Sequence, residues 1–168
     1  MMFEAPTVAN LALVIAEAQA EYKKARSEVR IDVPRKNLEK FKEVLLYVLN
    51  KVGAKPNVGE TVLYKLLYFV DFDHYEQYEE QLIGATYRKN KFGPTPLEFR
   101  KVAETMIESG ELQKLPDKYF NYPQTKYLPL RRPDLSRLSG REVEVIDRVL
   151  DRLSDMTAAQ ISEYSHND

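Results

Sequence analysis

The chain has 168 residues, 43% of them hydrophobic and 30% charged, with a formal net charge of −1. This balance is typical of one folded domain and excludes a disordered chain, while the near-neutral charge argues against a protein that holds nucleic acid by charge alone. Because cysteine is absent, disulfides, thiol catalysis and thiolate metal sites are excluded, which favours a cytoplasmic location.

The N-terminal part of the sequence predicts two helices. Apolar residues recur at helical spacing over about residues 7–30, and Pro34 follows shortly, where a helix cannot continue. The apolar run at residues 11–16 is too short to span a membrane and lacks the charged leader of a secretion signal. A second, strongly amphipathic helix is predicted over about residues 36–51, and Gly53 follows as its C-terminal cap.

The most informative segment is a third predicted helix over residues 62–78, with the sequence VLYKLLYFVDFDHYEQY. Asn57 and Glu60 precede it at capping-box spacing, and we expect the helix to end near residues 80–84. At about 100° per residue, one stripe of this helix contains a carboxylate among phenols: Tyr64, Tyr68, Asp71, Tyr75 and Tyr78. The adjacent stripe is leucine and valine, so a mostly buried helix is predicted.

A strand and a turn are predicted next. Residues 86–92 are rich in β-forming and charged residues, which indicates a short strand. In the following segment, FGPTP at residues 92–96, we assign Thr95 as the N-cap and Pro96 as the first residue of a fourth helix. That helix is expected to end at Gly110.

The C-terminal third predicts a hairpin and two helices. Residues 112–115 and 126–130 are expected to pair, joined by residues 116–124, and the prolines in this region confine both strands to an edge. Two later helices start with capping-box spacing, Ser139 to Glu142 and Thr157 to Gln160. The chain is therefore predicted to be mainly α, a compact domain of five to six helices with a small antiparallel β element, namely a short strand plus the late hairpin.

The tyrosine stripe has two interpretations. Aromatic residues at helical spacing are most often packing, yet tyrosine is also frequent at recognition surfaces because it joins a rigid ring to a polar tip. The stripe is either hydrogen-bonded core or a partly exposed groove for a partner. Asp71 then either orients tyrosine hydroxyls inside the domain or meets a cation on the partner.

The sequence shows no enzyme signature. Its only histidines are His74 and His166, and a metal-dependent hydrolase built on Asp71, His74 and His166 would need the last to arrive from the far end of the chain. Adjacent Ser165 and His166 diverge by about 100° on a helix, so they form no catalytic dyad. We therefore expect neither catalysis nor a cofactor nor a metal.

A DNA-binding regulator of its own operon is the alternative function. The predicted helix, hairpin and helix over residues 95–153 resemble a winged helix, and basic residues lie in or near them: Lys89, Lys91, Arg100, Lys101, Arg131 and Arg132. Acidic residues on or just after the same helix would repel phosphate: Glu98, Glu104, Glu108 and Glu111. We expect a mixed-charge surface and, in the main interpretation, no nucleic-acid partner.

Four blocks of the sequence occur together at a specific spacing. They are KLLYF at residues 65–69 followed by Asp71-Phe72, Ile83-Gly84 with Tyr87, FGP at residues 92–94 with Pro96, and AAQISEYSH at residues 158–166. This combination resembles the SocA-like antitoxin domain, also called the Panacea domain. The likeness also includes Phe41 with VLLY at residues 44–47 and spans about residues 36–168. It implies an antitoxin domain at 35–168 and an N-terminal helical extension at 1–34.

The resemblance implies a function in protein binding. Family members are the non-toxic half of a type II toxin–antitoxin pair and neutralise a cognate toxin, encoded by an adjacent gene, by direct contact. Some members act as adaptors that present the toxin to a protease, so a cytoplasmic protease is a second implied partner. The residues expected to form or brace the partner surface are Tyr64, Tyr68, Asp71, Tyr75, Tyr87, Phe92, Gly93, Pro94, Pro96 and His166.

Overall fold

The computed structural model describes residues 35–91 and 93–167, which form five α-helices and two small antiparallel sheets. In chain order they are α1 (Arg35–Val52), α2 (Glu60–Tyr78), β1 (Tyr87–Asn90), β2 (Gly93–Pro96), α3 (Phe99–Glu108), β3 (Leu112–Tyr119), β4 (Tyr122–Pro129), a 3₁₀ turn (Leu135–Arg137), α4 (Gly140–Leu153) and α5 (Ala158–Asn167). The predicted mainly α fold with a small β element is confirmed. The helix predicted at residues 7–30 lies outside the described residues.

Helix α1 lies at the centre of the core. All of its residues 41–49 except Lys42 are buried, and the apolar stripe of α2 packs into the same cluster: Leu63, Leu66, Leu67 and Val70. The cluster extends from Phe41 to Ile161, so one continuous core joins all five helices. No helix within residues 35–91 and 93–167 is long and apolar enough to cross a membrane.

Both capping boxes predicted in the C-terminal third are confirmed. The Ser139 hydroxyl accepts a hydrogen bond from the Glu142 N–H at 3.1 Å, and the Glu142 carboxylate accepts one from the Ser139 N–H at 2.9 Å. Thr157 and Gln160 make the same reciprocal pair at 3.2 and 2.8 Å. Each box satisfies two N–H groups that a helix start leaves unpaired.

The predicted ends of α2 are wrong. Asn57 does not cap this helix, which begins at Glu60, because Gly59 occupies the N-cap position. The Asn57 amide instead donates to the Ser154 and Met156 carbonyls at 2.9 and 2.8 Å. The helix stops at Tyr78, before the predicted residues 80–84, where Glu79 adopts a left-handed φ of 60°. At the N-terminal end of α2, the Asn57 side chain therefore makes tertiary hydrogen bonds in place of the predicted cap.

Helical spacing also predicts that Ile107 and Val143 face the core, but both lie at its margin. Ile107 of α3 is 36% exposed, and Val143 of α4 is half-buried. In α4 the same spacing predicts Val143, Ile146, Val149 and Leu153 as the inward residues, and the structure buries Val145 and Leu150 as well.

The segment predicted to start a helix is instead a strand. Residues 93–96 form β2, which pairs antiparallel with β1 so that Thr95 lies opposite Arg88 and Pro96 opposite Tyr87. Helix α3 begins later, at Phe99. Proline is compatible with a strand at a sheet edge, and a two-stranded sheet has only edges, so the local helix-start pattern yields to the pairing. Phe92 lies outside the described residues.

The late hairpin is longer than predicted. Strands β3 and β4 are eight residues each, and residues 120–121 alone connect them. The Leu130 N–H donates to the Glu111 carbonyl at 3.0 Å. Because bonded and non-bonded pairs alternate along an antiparallel ladder, Pro116, Pro123 and Pro129 fall at non-bonded positions, where an N–H would face outward. The prolines therefore cost the hairpin no ladder bond.

We expect an acid-sensitive ion pair between α1 and α4. The Lys40 ammonium lies 2.6 Å from the Glu142 carboxylate. Burial raises the pKa of Glu142, but hydrogen bonds from Lys40 and the Ser139 N–H outweigh it, so the pKa lies below its ordinary value of 4.5. A carboxylate with a lowered folded-state pKa stabilises the fold above pH 4.5, and this contribution is lost as the pH falls through the folded value.

The free energy of unfolding should fall between pH 7 and pH 3 by about 1 kcal/mol less in Glu142→Gln than in wild type. Urea unfolding across this pH range measures the effect. Glu144→Gln, on an exposed side chain of the same helix, is the matched control and should leave the slope unchanged. Equal slopes for wild type and Glu142→Gln would contradict the assignment.

Candidate functional site

Asp71 connects α2 to the segment that leads into β1. Its side chain is fully buried. Five donors converge on its carboxylate: the N–H groups of Ile83 (2.5 Å), Ala85 (3.3 Å) and Gly84 (3.4 Å), the amide of Gln81 (3.3 Å) and the hydroxyl of Tyr87 (2.8 Å). All of them come from residues 81–87, so one side chain accepts from three consecutive backbone N–H groups and two side chains of this connection.

Burial raises the pKa of Asp71, and the hydrogen bonds from Ile83, Tyr87, Ala85 and Gly84 oppose that rise. Gly84 adopts a φ of +82°, and a Cβ there would lie 3.0 Å from the Asn37 amide nitrogen. The connection therefore needs glycine at this point. Asp71 exposes no surface to a partner and contacts a tyrosine hydroxyl inside the domain.

Tyr87 carries this network into an aromatic cluster. Its hydroxyl also donates to the Leu67 carbonyl at 3.1 Å, and its ring meets that of Tyr68 edge-on at 5.2 Å. Tyr68 stacks on Phe72 at 5.9 Å and contacts Phe69 at 5.3 Å. Burial and the neighbouring Asp71 raise the pKa of Tyr87, so this phenol stays protonated and acts as a donor.

Tyr64 belongs to a separate cluster at the other end of the stripe. Its ring meets Phe99 edge-on at 5.0 Å, and Phe99 meets Tyr127 of β4 at 5.4 Å. The Tyr127 hydroxyl donates to Glu60 at 2.5 Å. Burial and the nearby Glu60 carboxylate raise the pKa of Tyr64 to about 12. The stripe thus packs against α3 and the hairpin at one end and against β1 in its middle.

The C-terminal end of the stripe surrounds a buried histidine. His74 is 1% exposed, and its Nδ1 donates to the Glu80 carbonyl at 2.6 Å, while Nε2 has no partner within the described part of the chain. The guanidinium of Arg141 lies 3.9 Å from the centroid of the Tyr78 ring. Tyr75 is half-buried.

No contact among the described residues brings together the three residues considered for a metal site. Asp71 and His74 both lie in α2, with the hydrogen bonds given above, and His166 lies in the last turn of α5. Within residues 35–91 and 93–167, no group of three or more potential ligands is placed to hold a metal ion.

The first and third sequence blocks meet at Gly93. This glycine has a φ of +114°, and a Cβ on it would lie 2.5 Å from the Nζ of Lys65. Lys65 is 4% exposed, and burial lowers its pKa. Pro94 is half-buried and Pro96 is buried opposite Tyr87. The long KLLYF helix and the GPTP strand therefore form one packed unit.

Sequence reasoning missed two polar anchors of this unit. Lys65 is a charged residue inside the apolar face of α2, a pattern that should have indicated a buried partner. Glu98, counted above among the residues that would repel phosphate, accepts a hydrogen bond from the Thr86 N–H at 2.9 Å. Its carboxylate thus holds the start of β1.

One of the basic residues considered for DNA binding, Arg131, is engaged in ion pairs within the protein. Arg131 makes a two-pronged ion pair with buried Glu43 at 3.0 and 2.9 Å and also binds Glu111 at 2.7 Å. Its guanidinium is therefore engaged inside the protein. Two of the acidic residues thought to repel phosphate, Glu98 and Glu111, turn inward in the same way.

The comparison with protein families agrees with this arrangement. A model described as antitoxin SocA-like, Panacea domain, matches residues 63–168, which contain the Asp71 network, the hairpin and both C-terminal helices. The chain belongs to this family. No curated protein and no solved structure matches it. Membership of the SocA-like family indicates an antitoxin with a toxin partner and a non-enzymatic role, and it confirms the resemblance of the sequence blocks.

Proposed function

We propose that this SocA-like chain is the antitoxin of a type II toxin–antitoxin system. It neutralises a cognate toxin, encoded by an adjacent gene, by direct binding in the cytoplasm and without catalysis. The observation that carries the proposal is the family match over residues 63–168. The geometry supports it further, because the buried Asp71 side chain is engaged in hydrogen bonds that hold residues 81–87.

The proposed partner surface combines half-buried tyrosines with a rigid support. Tyr64, Tyr68 and Tyr75 keep part of their surface in solvent, and we assign them, with Phe92, Gly93, Pro94 and His166, to contact with the toxin. Asp71, Tyr87 and Pro96 are buried and brace these residues from behind. Because a rigid support holds these residues in place before binding, less conformational entropy is lost when the toxin binds.

Co-expression with the adjacent gene tests the proposal. The neighbouring protein should arrest growth when produced alone, and this chain should restore growth and copurify with it. A neighbour that is harmless alone, or that still arrests growth in the presence of this chain, would refute the proposal. The toxin level separates two routes of neutralisation, since direct inhibition leaves it unchanged whereas delivery to a cytoplasmic protease lowers it.

A further inference from the structure

Strand β1 is the outer strand of the small β1–β2 sheet. Within the described part of the chain its main contact is with β2, whereas β2 also packs against α2. The Leu97 N–H donates to the Thr86 carbonyl at 2.8 Å, next to the first pair of the ladder. Because bonded and non-bonded pairs alternate from this point, Arg88 is bonded to β2, whereas Tyr87 and Lys89 lie at non-bonded positions. The backbone N–H and C=O groups of these two residues therefore face away from β2.

The outward edge of β1 can accept a further strand. Proline has no N–H to donate, and the outward positions of β2 are Pro94 and Pro96. Prolines also interrupt β3 and β4, so among the strands that the structure describes β1 alone contains no proline. An extended segment placed beside β1 would meet a donor and an acceptor at Tyr87 and again two residues later at Lys89, which is the repeat of a β-ladder.

The side chains of β1 are basic. Residues 87–91, with the sequence YRKNK, contain three basic residues and no acidic one, in a chain of net charge −1. Arg88 and Lys89 are exposed, and as neighbours in a strand they point to opposite faces of the sheet. An added strand would therefore meet a cation on each of its two faces.

These charges select the strand that fits the edge. A symmetric antiparallel pair of two copies that bonds both Tyr87 and Lys89 would place Arg88 directly opposite its own counterpart. Like charges in directly opposite positions destabilise a strand pair, and cations at an edge commonly prevent pairing between copies. Nucleic acid would use the cations but leave the backbone edge unpaired. A strand with carboxylates opposite Arg88 and Lys89 satisfies both the edge and its charges.

We propose that an acidic segment of the toxin adds to β1 as a third strand, bonds to the backbone of Tyr87 and Lys89, and faces Arg88 and Lys89 with carboxylates. The inference rests on the proposed antitoxin function and adds the binding mode and the chemistry of the partner. In this mode main-chain hydrogen bonds give affinity and side chains give specificity. The edge adjoins the proposed partner surface, because β2 contains Gly93 and Pro94.

Lys89→Pro tests the inference, because it removes an outward N–H at a non-bonded position, opposite Pro94, and so costs β2 no hydrogen bond. Lys89→Ala is the matched control, since it loses the same charge but keeps the N–H. Both variants should unfold at similar temperatures. The Kd of Lys89→Pro for the purified product of the adjacent gene, measured by calorimetry, should be at least about 10-fold weaker than that of Lys89→Ala.

Two further measurements examine the edge and its charge separately. Amide hydrogen exchange at Tyr87 and Lys89 should slow when the wild-type chain binds the toxin, and exchange at Arg88, already bonded to β2, should change less. Arg88→Glu with Lys89→Glu should weaken the Kd at least about 10-fold more than Lys114→Glu with Lys118→Glu. The second pair makes the same change of net charge at exposed residues of the other hairpin.

The outcomes separate the two proposals. If the wild-type chain does not bind the product of the adjacent gene, the antitoxin function fails and this inference fails with it. If it binds, and Lys89→Pro binds as tightly as Lys89→Ala, only the inference fails. If Lys89→Pro does not fold, unchanged exchange at Lys89 in the wild-type complex overturns the inference.

The other possible occupants give different results. If Arg88→Glu with Lys89→Glu loses binding to promoter duplex DNA while its toxin affinity is unchanged, the edge belongs to nucleic acid. If Lys89→Pro loses self-association by light scattering while its toxin affinity is unchanged, the edge belongs to a second copy. Either result overturns the inference.

Discussion

Asp71→Ala should lower the free energy of unfolding by about 3–5 kcal/mol, since it leaves the buried N–H groups of Ile83 and Ala85 without an acceptor, each at a cost of about 1–3 kcal/mol, and removes the shorter of the two hydrogen bonds of the Tyr87 hydroxyl. The affected donors belong to Ile83, Ala85 and Tyr87, all buried. Urea denaturation followed by circular dichroism measures the loss. Tyr87→Phe, which removes one of these donors and leaves the acceptor in place, should cost only about 1 kcal/mol.

Asp73→Ala is the matched control for Asp71→Ala. Asp73 lies two residues further along the same helix and pairs with Arg152 at 2.8 Å near the surface, so its loss should cost less than about 1 kcal/mol. Equal destabilisation by both variants would contradict the role given to Asp71. Toxin rescue, assayed at a temperature where Asp71→Ala is folded, should be weakened if the braced surface binds the toxin. Full rescue together with lost stability would assign Asp71 to the fold alone.

Arg131→Ala should destabilise the protein by roughly 2–4 kcal/mol, because it leaves the buried carboxylate of Glu43 without its cation. Glu43 is 3% exposed and, among the contacts of residues 35–91 and 93–167, would retain the hydrogen bond from the Asp134 N–H at 2.7 Å. The expected loss of stability is smaller than for a fully buried ion pair, because the Arg131 side chain is 35% exposed. Guanidinium unfolding at neutral pH measures it.

The neighbouring Arg132 provides the control for this prediction. Arg132 is exposed, so Arg132→Ala should change stability by no more than about 0.5 kcal/mol. A second variant, Glu43→Gln with Arg131→Met, removes both charges and should recover part of the stability lost in Arg131→Ala. No recovery in the double variant would show that packing of the Arg131 side chain, and not its charge, is the stabilising feature.

Sequence reasoning succeeded where a structure depends on residues close together in the chain. The helix predicted at 36–51 matches Arg35–Val52 to within one residue at each end, and the capping boxes at Ser139 and Thr157 are present because each needs only a partner three residues away. The leucine face of α2 was equally readable, since helical periodicity alone determines which residues point inward.

Long-range contacts explain the errors. Asn57 has the right spacing for a cap, but carbonyls almost a hundred residues away take its amide. Thr95 and Pro96 have a helix-start pattern, yet pairing with β1 decides their conformation. No local pattern shows that residues 81–87 supply all the donors to Asp71, and nothing near Phe120 in sequence indicates its positive φ.

A two-stranded ribbon that shows leucines and aromatic rings to water would ordinarily recruit further copies of itself, strand upon strand. Pro116 on one side and Pro123 and Pro129 on the other leave gaps in the rows of donors that such growth requires. The hairpin can thus keep leucines and aromatic rings exposed without seeding fibres through its edges.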